Sequence, residues 1–176
     1  MIEILRQRRS IRAFQDKPVE PEKKALLIEA LLRSPSSRNF QPWEFILVED
    51  RQQLKKMAEA KAHGADFVGK VPLAVVVLAN PEKSDVWVED CSIASIILQL
   101  EAQALGLASC WCQIRLRDKE EGVSSEAYLK QLLQVPEHLR VESVIGIGYS
   151  AESKQGHTSD TLLKERISYN LYGLKL

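Results

Sequence analysis

The chain has 176 residues, 45% of them hydrophobic and 27% charged, which is typical of a soluble globular domain and excludes an intrinsically disordered chain. Its 24 Lys and Arg residues balance 24 Asp and Glu residues, and the formal net charge of zero argues against sequence-independent binding to nucleic acid. No apolar stretch approaches the roughly 20 residues of a membrane helix, and neither a signal peptide nor a disulfide framework is indicated, so we expect a cytoplasmic protein without a membrane partner.

The N-terminal half is predicted to form, in chain order, a short helix, a longer helix, a strand and a third helix, over residues 2–8, 21–33, 43–48 and 51–62. Pro21 suits the first position of a helix, and Ser34 with Pro35 ends that same helix. Asp50 is the expected N-cap of the third helix, and Gly64 is its expected end.

The C-terminal half is predicted to continue with a strand, a long helix, a strand, a short helix and a strand, over residues 71–79, 86–105, 107–114, 125–133 and 141–148. The first of these strands is continuously apolar, which is typical of a strand buried on both faces. Asp85, Glu89 and Asp90 lie at the start of the long helix, where negative charge suits the helix dipole, and Gly106 is its expected C-terminal cap. The alternation predicts an α+β or α/β sandwich of about four strands.

The tail after residue 148 is first polar and then apolar. Its apolar residues follow the last core element, so we expect them to pack on another subunit; the alternative is that they cover the surface of their own chain. These residues are Ile167, Tyr169, Leu171, Tyr172, Leu174 and Leu176.

Three arginines and a serine lie within the segment RRSIR, residues 8–12. Forked guanidinium donors and a hydroxyl at this spacing suit a phosphate dianion, which accepts bidentate, charge-assisted hydrogen bonds. The alternative is a solvated basic patch.

The loop SPSSRNFQPW, residues 34–43, combines small hydroxyls, amides and an arginine between two prolines. The prolines restrict the shape of the loop, and Ser, Asn and Gln side chains can hydrogen-bond the polar edge of a flat ring. The alternative is a structured turn without a ligand.

Cys110, Trp111 and Cys112 raise the question of redox or metal chemistry. Alternate residues of a strand share a face, so we expect both sulfur atoms on one side and Trp111 on the other. The histidines are scattered, no second Cys pair follows, and no GxGxxG, P-loop or GxSxG motif occurs. The cysteines are therefore expected to be small apolar packing residues, and no metal site is expected.

Four motifs follow one another along the chain: RRSIRAF, PSSRNFQPWEF, VEDCSIASIILQLEAQALGLASCW, and IGIGYSAESK with SYNLYG. Each motif is moderately specific alone, and four in the same order are specific together. In this combination the sequence resembles the nitroreductase family of FMN-dependent oxidoreductases over nearly its whole length.

The resemblance implies an α+β fold: a three-layer sandwich with a central mixed, mainly antiparallel sheet of four to five strands flanked by helices. It also implies an intertwined homodimer with two FMN sites at the interface. Residues 1–176 would form a single FMN-binding domain whose tail, from about residue 150, extends onto the partner subunit.

The resemblance further implies a set of cofactor-binding residues and no catalytic side chain. Arg8, Arg9 and Ser10 would hold the phosphate and ribityl end of FMN, while Arg12 would reach the N1/O2 edge of the ring. From the partner subunit, the flavin would be lined by Pro35, Ser36, Ser37 and Asn39. The backbone of Gln113 and Ile114 would lie near the flavin N5 edge, and Lys154 would return to the phosphate.

Two segments depart from the pattern of the family. Cys112, Gln113 and Ile114 stand where relatives often have Gly, and GHTSD after Lys154 leaves His157 as the nearby basic residue.

The expected activity is ping-pong hydride transfer from NADH or NADPH to a nitroaromatic or quinone acceptor. The alternatives are a flavin storage or sensing protein, a specialised family member with another flavin reaction, and a globular protein without a cofactor.

Overall fold

The computed structural model describes residues 1–175, and Leu176 lies outside the described residues. The helices are α1 (Ile2–Gln7), α2 (Pro21–Leu32), α3 (Arg51–Ala58), α4 (Trp87–Ala104) and α5 (Ser125–Leu133). The strands are β1 (Trp43–Val48), β2 (Leu73–Ala79), β3 (Ala108–Gln113), β4 (Asp118–Glu120), β5 (Val123–Ser124) and β6 (Arg140–Gly148). Short 3-10 turns lie at Ser37–Asn39, Asp66–Lys70, Ser159–Thr161 and Lys164–Arg166.

Four strands form the central sheet in the order β1-β2-β6-β3, and every pair of neighbours is antiparallel. Parallel pairing within the described residues is confined to one isolated bridge between Ser10 and Ser109. The strands β4 and β5 make a separate two-stranded hairpin.

Two hydrophobic cores lie on opposite faces of the sheet, so the molecule has three layers. On one face α2 and α4 pack through residues such as Leu27, Leu31 and Leu98. On the other face α3, the 66–70 turn and α5 pack through Leu54, Phe67, Leu129 and their neighbours. All of β2 is buried, and its side chains alternate between the two cores, which confirms the predicted strand buried on both faces.

The cysteines are packing residues. Cys110 and Cys112 both enter the α3–α5 core, whereas Trp111 packs on the opposite core, as the alternation of a strand predicts. Burial raises the pKa of the Cys112 thiol to about 11, and burial also raises the pKa of Cys91 and Cys110. Protonated, buried thiols of this kind are poor nucleophiles and poor metal ligands.

The structure corrects two predictions about local elements. The third helix ends at Ala58 rather than near residue 62, and Gly64, with a φ of 81°, lies beyond it in a bend. The hairpin β4–β5 is missing from the sequence prediction because its strands are short and charged and carry no apolar alternation. Gly122 turns this hairpin with a φ of 77°.

The apolar tail does not cover the surface of its own chain. Its five described members are between 53% and 104% exposed: Ile167, Tyr169, Leu171, Tyr172 and Leu174. That alternative is therefore wrong for the described part of the tail.

None of the described helices has both the length and the apolar content to span a membrane.

A buried carboxyl lies at a β-bulge in the central sheet. Val77 pairs with Ser143 and Leu78 with Val141, so Glu142 has no partner on β2. Its side chain is 3% exposed, and its Oε2 atom has no hydrogen-bond partner among the described residues. Burial is the largest effect on this carboxyl and raises its pKa, although Arg115 opposes the shift in part.

The raised pKa of Glu142 predicts a pH-dependent penalty on stability. The folded chain holds this proton more tightly than the unfolded chain does, so stability is lost as the pH rises from the ordinary carboxyl range through the raised pKa. Glu142→Gln removes that loss. We expect its melting temperature to exceed that of the wild type by a few degrees at about pH 8 but not at about pH 4, as measured by thermal unfolding.

Glu126→Gln is a control with the opposite sign. Burial raises the pKa of Glu126, but hydrogen bonds from Arg140 and from the Val141 N–H outweigh that effect and lower it. This variant should lose stability at neutral pH. A gain in Glu142→Gln that is equal at both pH values would contradict the assignment.

Candidate functional site

The arginine-rich segment is held against the sheet as a strap, residues 8–15. At its start, Ser10 bridges to Ser109 and the Ile11 N–H donates to the Ser109 carbonyl at 3.1 Å. At its end, the strap pairs with the C-terminal segment, residues 149–156. Three contacts make this pairing: the bridge Phe14–Ser150, Gln15 N–H to Tyr149 O at 2.9 Å, and Ala151 N–H to Ala13 O at 2.8 Å.

This pairing brings Lys154 to the arginine cluster. The Lys154 ammonium donates to the Ser10 carbonyl at 3.0 Å, and the Arg9 guanidinium donates to the Gln155 carbonyl. More than 140 residues separate these partners in sequence. The positive side chains that were predicted to share a phosphate therefore lie together in the folded chain.

Glu152 organises the cluster and was not predicted from the sequence. One of its carboxylate oxygens accepts the N–H groups of Arg12, at 2.6 Å, and Ala13, at 3.2 Å. The same carboxylate pairs with Lys154 at 3.1 Å. The Arg12 N–H bond is the largest cause of its lowered pKa, followed by the bond from Lys154. No local pattern reveals this role, because it depends on contacts between distant segments.

The cluster keeps a surplus of positive charge. The charges of Arg8, Arg9, Arg12 and Lys154 exceed that of the Glu152 carboxylate by three. Burial raises the pKa of the neighbouring Cys110 thiol, and Arg12, Lys154 and Arg8 each lower it in part, which places their charges near the start of β3. A cavity of about 250 Å³ opens here, lined by Gln7, Arg9, Ile11, Gln103, Gly106, Leu107, Ala108, Ser150, Glu152, Ser153 and Lys154.

The loop of residues 34–42 lies elsewhere, at the N-terminal end of α4. Pro35 and Asn39 are exposed, and Ser36 and Ser37 are half-buried. The Ser37 N–H donates to Asp90 in the first turn of α4 at 2.8 Å. The cavity beside the arginines is lined by Gln103 and Gly106 at the other end of the helix. A helix rises about 1.5 Å per residue, so these two ends are roughly 24 Å apart.

Gln113 and Ile114 lie at the far end of β3 from the arginines. Ser109 and Gln113 are four residues apart on the strand, which corresponds to about 13 Å. Ile114 is 1% exposed, and its N–H donates to the Glu142 carbonyl at 3.2 Å. The Gln113 side chain accepts from Trp111 Nε1 at 2.9 Å. One chain therefore brings the arginines and Lys154 together but leaves the loop and the 113–114 segment apart from them.

The sequence matches the profile of the Nitroreductase family over residues 5–75 and 61–149. The chain belongs to the nitroreductase family. A curated protein of Archaeoglobus fulgidus, whose name combines NADH dehydrogenase with NAD(P)H nitroreductase, is 38% identical over 157 residues that cover 87% of each chain. These matches confirm the family that the four sequence motifs predict.

Solved structures of the family share this fold. An FMN-dependent nitroreductase from Clostridium difficile R20291 is 40% identical and superimposes with a TM-score of 0.96, covering 98% of this chain and 100% of that one. A nitroreductase-type structure from Parabacteroides distasonis, also named for NADH dehydrogenase, is 32% identical with a TM-score of 0.87, covering 97% and 98% of the two chains. The predicted sandwich with a mainly antiparallel sheet is confirmed.

Gly156 marks the closest approach between the C-terminal segment and α1. A Cβ atom at this position would lie 2.0 Å from the Arg6 carbonyl oxygen, which belongs to rigid backbone. Gly156→Ala must therefore push residues 154–156 away from α1. We expect a loss of about 1–3 kcal/mol in the free energy of unfolding, measured by denaturant titration.

Gln155→Ala is the matched control for Gly156→Ala. It removes an exposed side chain and leaves the backbone carbonyl that accepts from Arg9 in place. We expect its stability to stay within about 0.5 kcal/mol of the wild type. Equal stability of the two variants would show that the close approach at Gly156 is not a constraint.

Proposed function

We propose that this chain is an FMN-dependent oxidoreductase that uses NADH or NADPH to reduce nitroaromatic, quinone or similar acceptors. The observation that carries the proposal is the meeting of the strap with the C-terminal segment. It gathers four positive side chains and the Ser10 hydroxyl where the two segments meet, and two of those side chains, Arg9 and Lys154, line a cavity there, in a chain whose net charge is zero.

The donor set fits the phosphate of FMN. A phosphate dianion favours forked guanidinium donors and a hydroxyl, and the surplus of three positive charges exceeds what one dianion needs. Arg8, Arg9 and Ser10 would hold the phosphate and ribityl end, with Lys154 completing the site from the C-terminal segment. Arg12 would face the N1/O2 edge of the ring, where positive charge stabilises an anionic reduced flavin.

When bound, FMN supplies hydride transfer between the nicotinamide and the acceptor. The residues of the chain bind and orient the cofactor, and no side-chain acid or base is assigned to the reaction. Gln113 would border the N5 edge through its backbone, whereas Ile114 is buried and its N–H already donates to the Glu142 carbonyl, so Ile114 would only support that edge from behind. Acceptors and nicotinamide would use the same open face in turn, which gives ping-pong kinetics.

We further propose that two chains complete each flavin site. The loop residues Pro35, Ser36, Ser37 and Asn39 lie at the opposite end of α4 from the arginines, so they would line the flavin of the partner subunit. The exposed apolar tail supports a homodimer, because a patch of this kind favours burial against another protein surface. We propose that the tail from about residue 150 extends onto the partner.

The relatives support the same chemistry. The Clostridium difficile structure is named an FMN-dependent nitroreductase, and the name of the Archaeoglobus fulgidus protein includes an NAD(P)H activity. Both match this chain over most of the two lengths.

We propose that the protein is located in the cytoplasm. All three cysteines are free thiols, which is compatible with a reducing compartment.

Steady-state turnover tests the proposed activity. With FMN bound, the protein should oxidise NADH or NADPH in the presence of a nitroaromatic or a quinone. Varying both substrates should give parallel double-reciprocal plots, since one product leaves before the second substrate binds. Bound FMN without turnover of either nicotinamide would instead identify a flavin storage or sensing protein.

Arg8→Ala tests the phosphate assignment. A hydrogen bond to a charged group contributes about 1.5–3 kcal/mol, so affinity for FMN should fall by roughly tenfold or more. Riboflavin lacks the phosphate but keeps the ribityl chain, so its affinity should fall by a much smaller factor. Fluorescence titration of flavin-free protein with each ligand measures both affinities.

Arg33→Ala is the matched control for Arg8→Ala. Its side chain is 77% exposed and pairs with Glu29 on α2, away from the strap. FMN should bind this variant as it binds the wild type. Unchanged FMN affinity in Arg8→Ala as well would overturn the role assigned to Arg8.

A further inference from the structure

The loop of residues 34–42 has an unfavourable backbone conformation. The φ angles of Arg38, Asn39 and Gln41 are 50°, 58° and 48°, in the left-handed region. Residues with a Cβ atom adopt this region at a cost, and they persist there when surrounding contacts hold them. The contacts that hold this loop therefore decide the shape that it presents.

Asp90 makes the buried contact that holds the loop. Its side chain is 2% exposed, and its two oxygens have different partners. Oδ1 accepts the Ser37 N–H at 2.8 Å, and Oδ2 accepts the Ser84 hydroxyl at 2.9 Å. Hydrogen bonds to a carboxylate are stronger than neutral ones, and the first turn of α4 adds a favourable helix dipole.

A second acidic residue, Asp85, forms an ion pair with the loop at the protein surface. The Arg38 guanidinium pairs with Asp85, but these side chains are 60% and 75% exposed. Exposed ion pairs of this kind contribute little, because water and salt screen them. The buried bonds of Asp90 are therefore the main tie between the loop and α4.

Four backbone N–H groups of the loop are used within the chain. Ser36 accepts two of them, from Asn39 N–H at its carbonyl and from Gln41 N–H at its hydroxyl oxygen. The Phe40 N–H donates to the Ser37 carbonyl, and the Ser37 N–H to Asp90. The loop consequently presents side-chain hydroxyl and amide groups, rather than these N–H groups, to a ligand.

We propose that Asp90 is a positioning residue, which fixes the 34–42 loop in its ligand-binding shape before the flavin arrives. The inference rests on the proposed function, because it takes the flavin ring of the partner subunit as the ligand. Fixing the loop in advance spares the ordering cost at binding, so Asp90 strengthens flavin binding without touching the flavin. The Asp90 carboxylate acts through the orientation of the Ser37 peptide.

Asp90→Ala tests this role with two measurements. In flavin-free protein, hydrogen exchange at the Ser37 amide should change from protected to fast. In titrations well below the unfolding temperature, affinity for riboflavin and affinity for FMN should both fall by about tenfold or more, by the same factor. The equal factor follows because the phosphate contacts are at the other end of α4, so the ratio of the two affinities stays that of the wild type.

Two further variants separate positioning from folding. Asp90→Asn keeps one oxygen that can accept the Ser37 N–H, so we expect it to restore most of the riboflavin affinity and the exchange protection. Leu129→Ala opens a cavity in the core on the other face of the sheet, where the side chain is fully buried. It should lower the melting temperature and leave flavin affinity unchanged. If Asp90→Ala does not fold, Ser84→Ala, which removes one partner of Asp90, should show a smaller loss of riboflavin affinity.

The outcomes distinguish this inference from the proposed function. Wild-type flavin affinity or a protected Ser37 amide in Asp90→Ala overturns the positioning role and leaves the proposed function in place. A loss of riboflavin affinity in Leu129→Ala as large as the loss in Asp90→Ala also overturns the positioning role and leaves the proposed function in place. A wild-type protein that binds neither FMN nor riboflavin overturns the proposed function and this inference together.

Discussion

The backbone pairing of the strap with β3 and with the C-terminal segment is the interaction on which the candidate site depends. Four positive side chains repel one another when they are gathered in one place. The main-chain bonds at Ile11, Ala13 and Gln15 and the carboxylate of Glu152 offset that repulsion. The cluster therefore stays assembled while retaining a positive charge that an anion can neutralise.

Helix α4 connects this cluster to the loop of residues 34–42. Its C-terminal end borders the cavity beside Arg9 and Lys154, while Asp90 at its start holds Ser37. The body of the helix is packed in the α2–α4 core, so the two ends keep a fixed separation. A second chain is the simplest way to bring a loop of this kind against an arginine cluster, and the exposed tail supports such an assembly.

The sequence predicts most of the fold because its elements have clear local patterns. The continuous apolar run of β2 and the alternating Cys110–Trp111–Cys112 segment lead directly to the two cores of the sheet. The end of α3 and the β4–β5 hairpin were not predicted correctly, since neither has a strong apolar period.

The candidate site is predictable only in part. The residue types of RRSIR identify an anion site, and the resemblance adds Lys154, but Glu152 depends on contacts across 140 residues. Asp90 is visible in the sequence as a helix-dipole residue, yet its bond to Ser37 exists only in the folded chain. Side chains that act through tertiary hydrogen bonds leave no local signal, whereas charge clusters and apolar periods do.

Sedimentation velocity followed through the visible absorbance of bound flavin tests the shared site most directly. We predict that the flavin absorbance moves with a dimer that carries about one FMN per chain, since a two-fold assembly has two equivalent sites. A monomer that retains its flavin would contradict a site completed by the partner. A protein that takes up no FMN at any concentration would contradict the assignment of the arginine cluster itself.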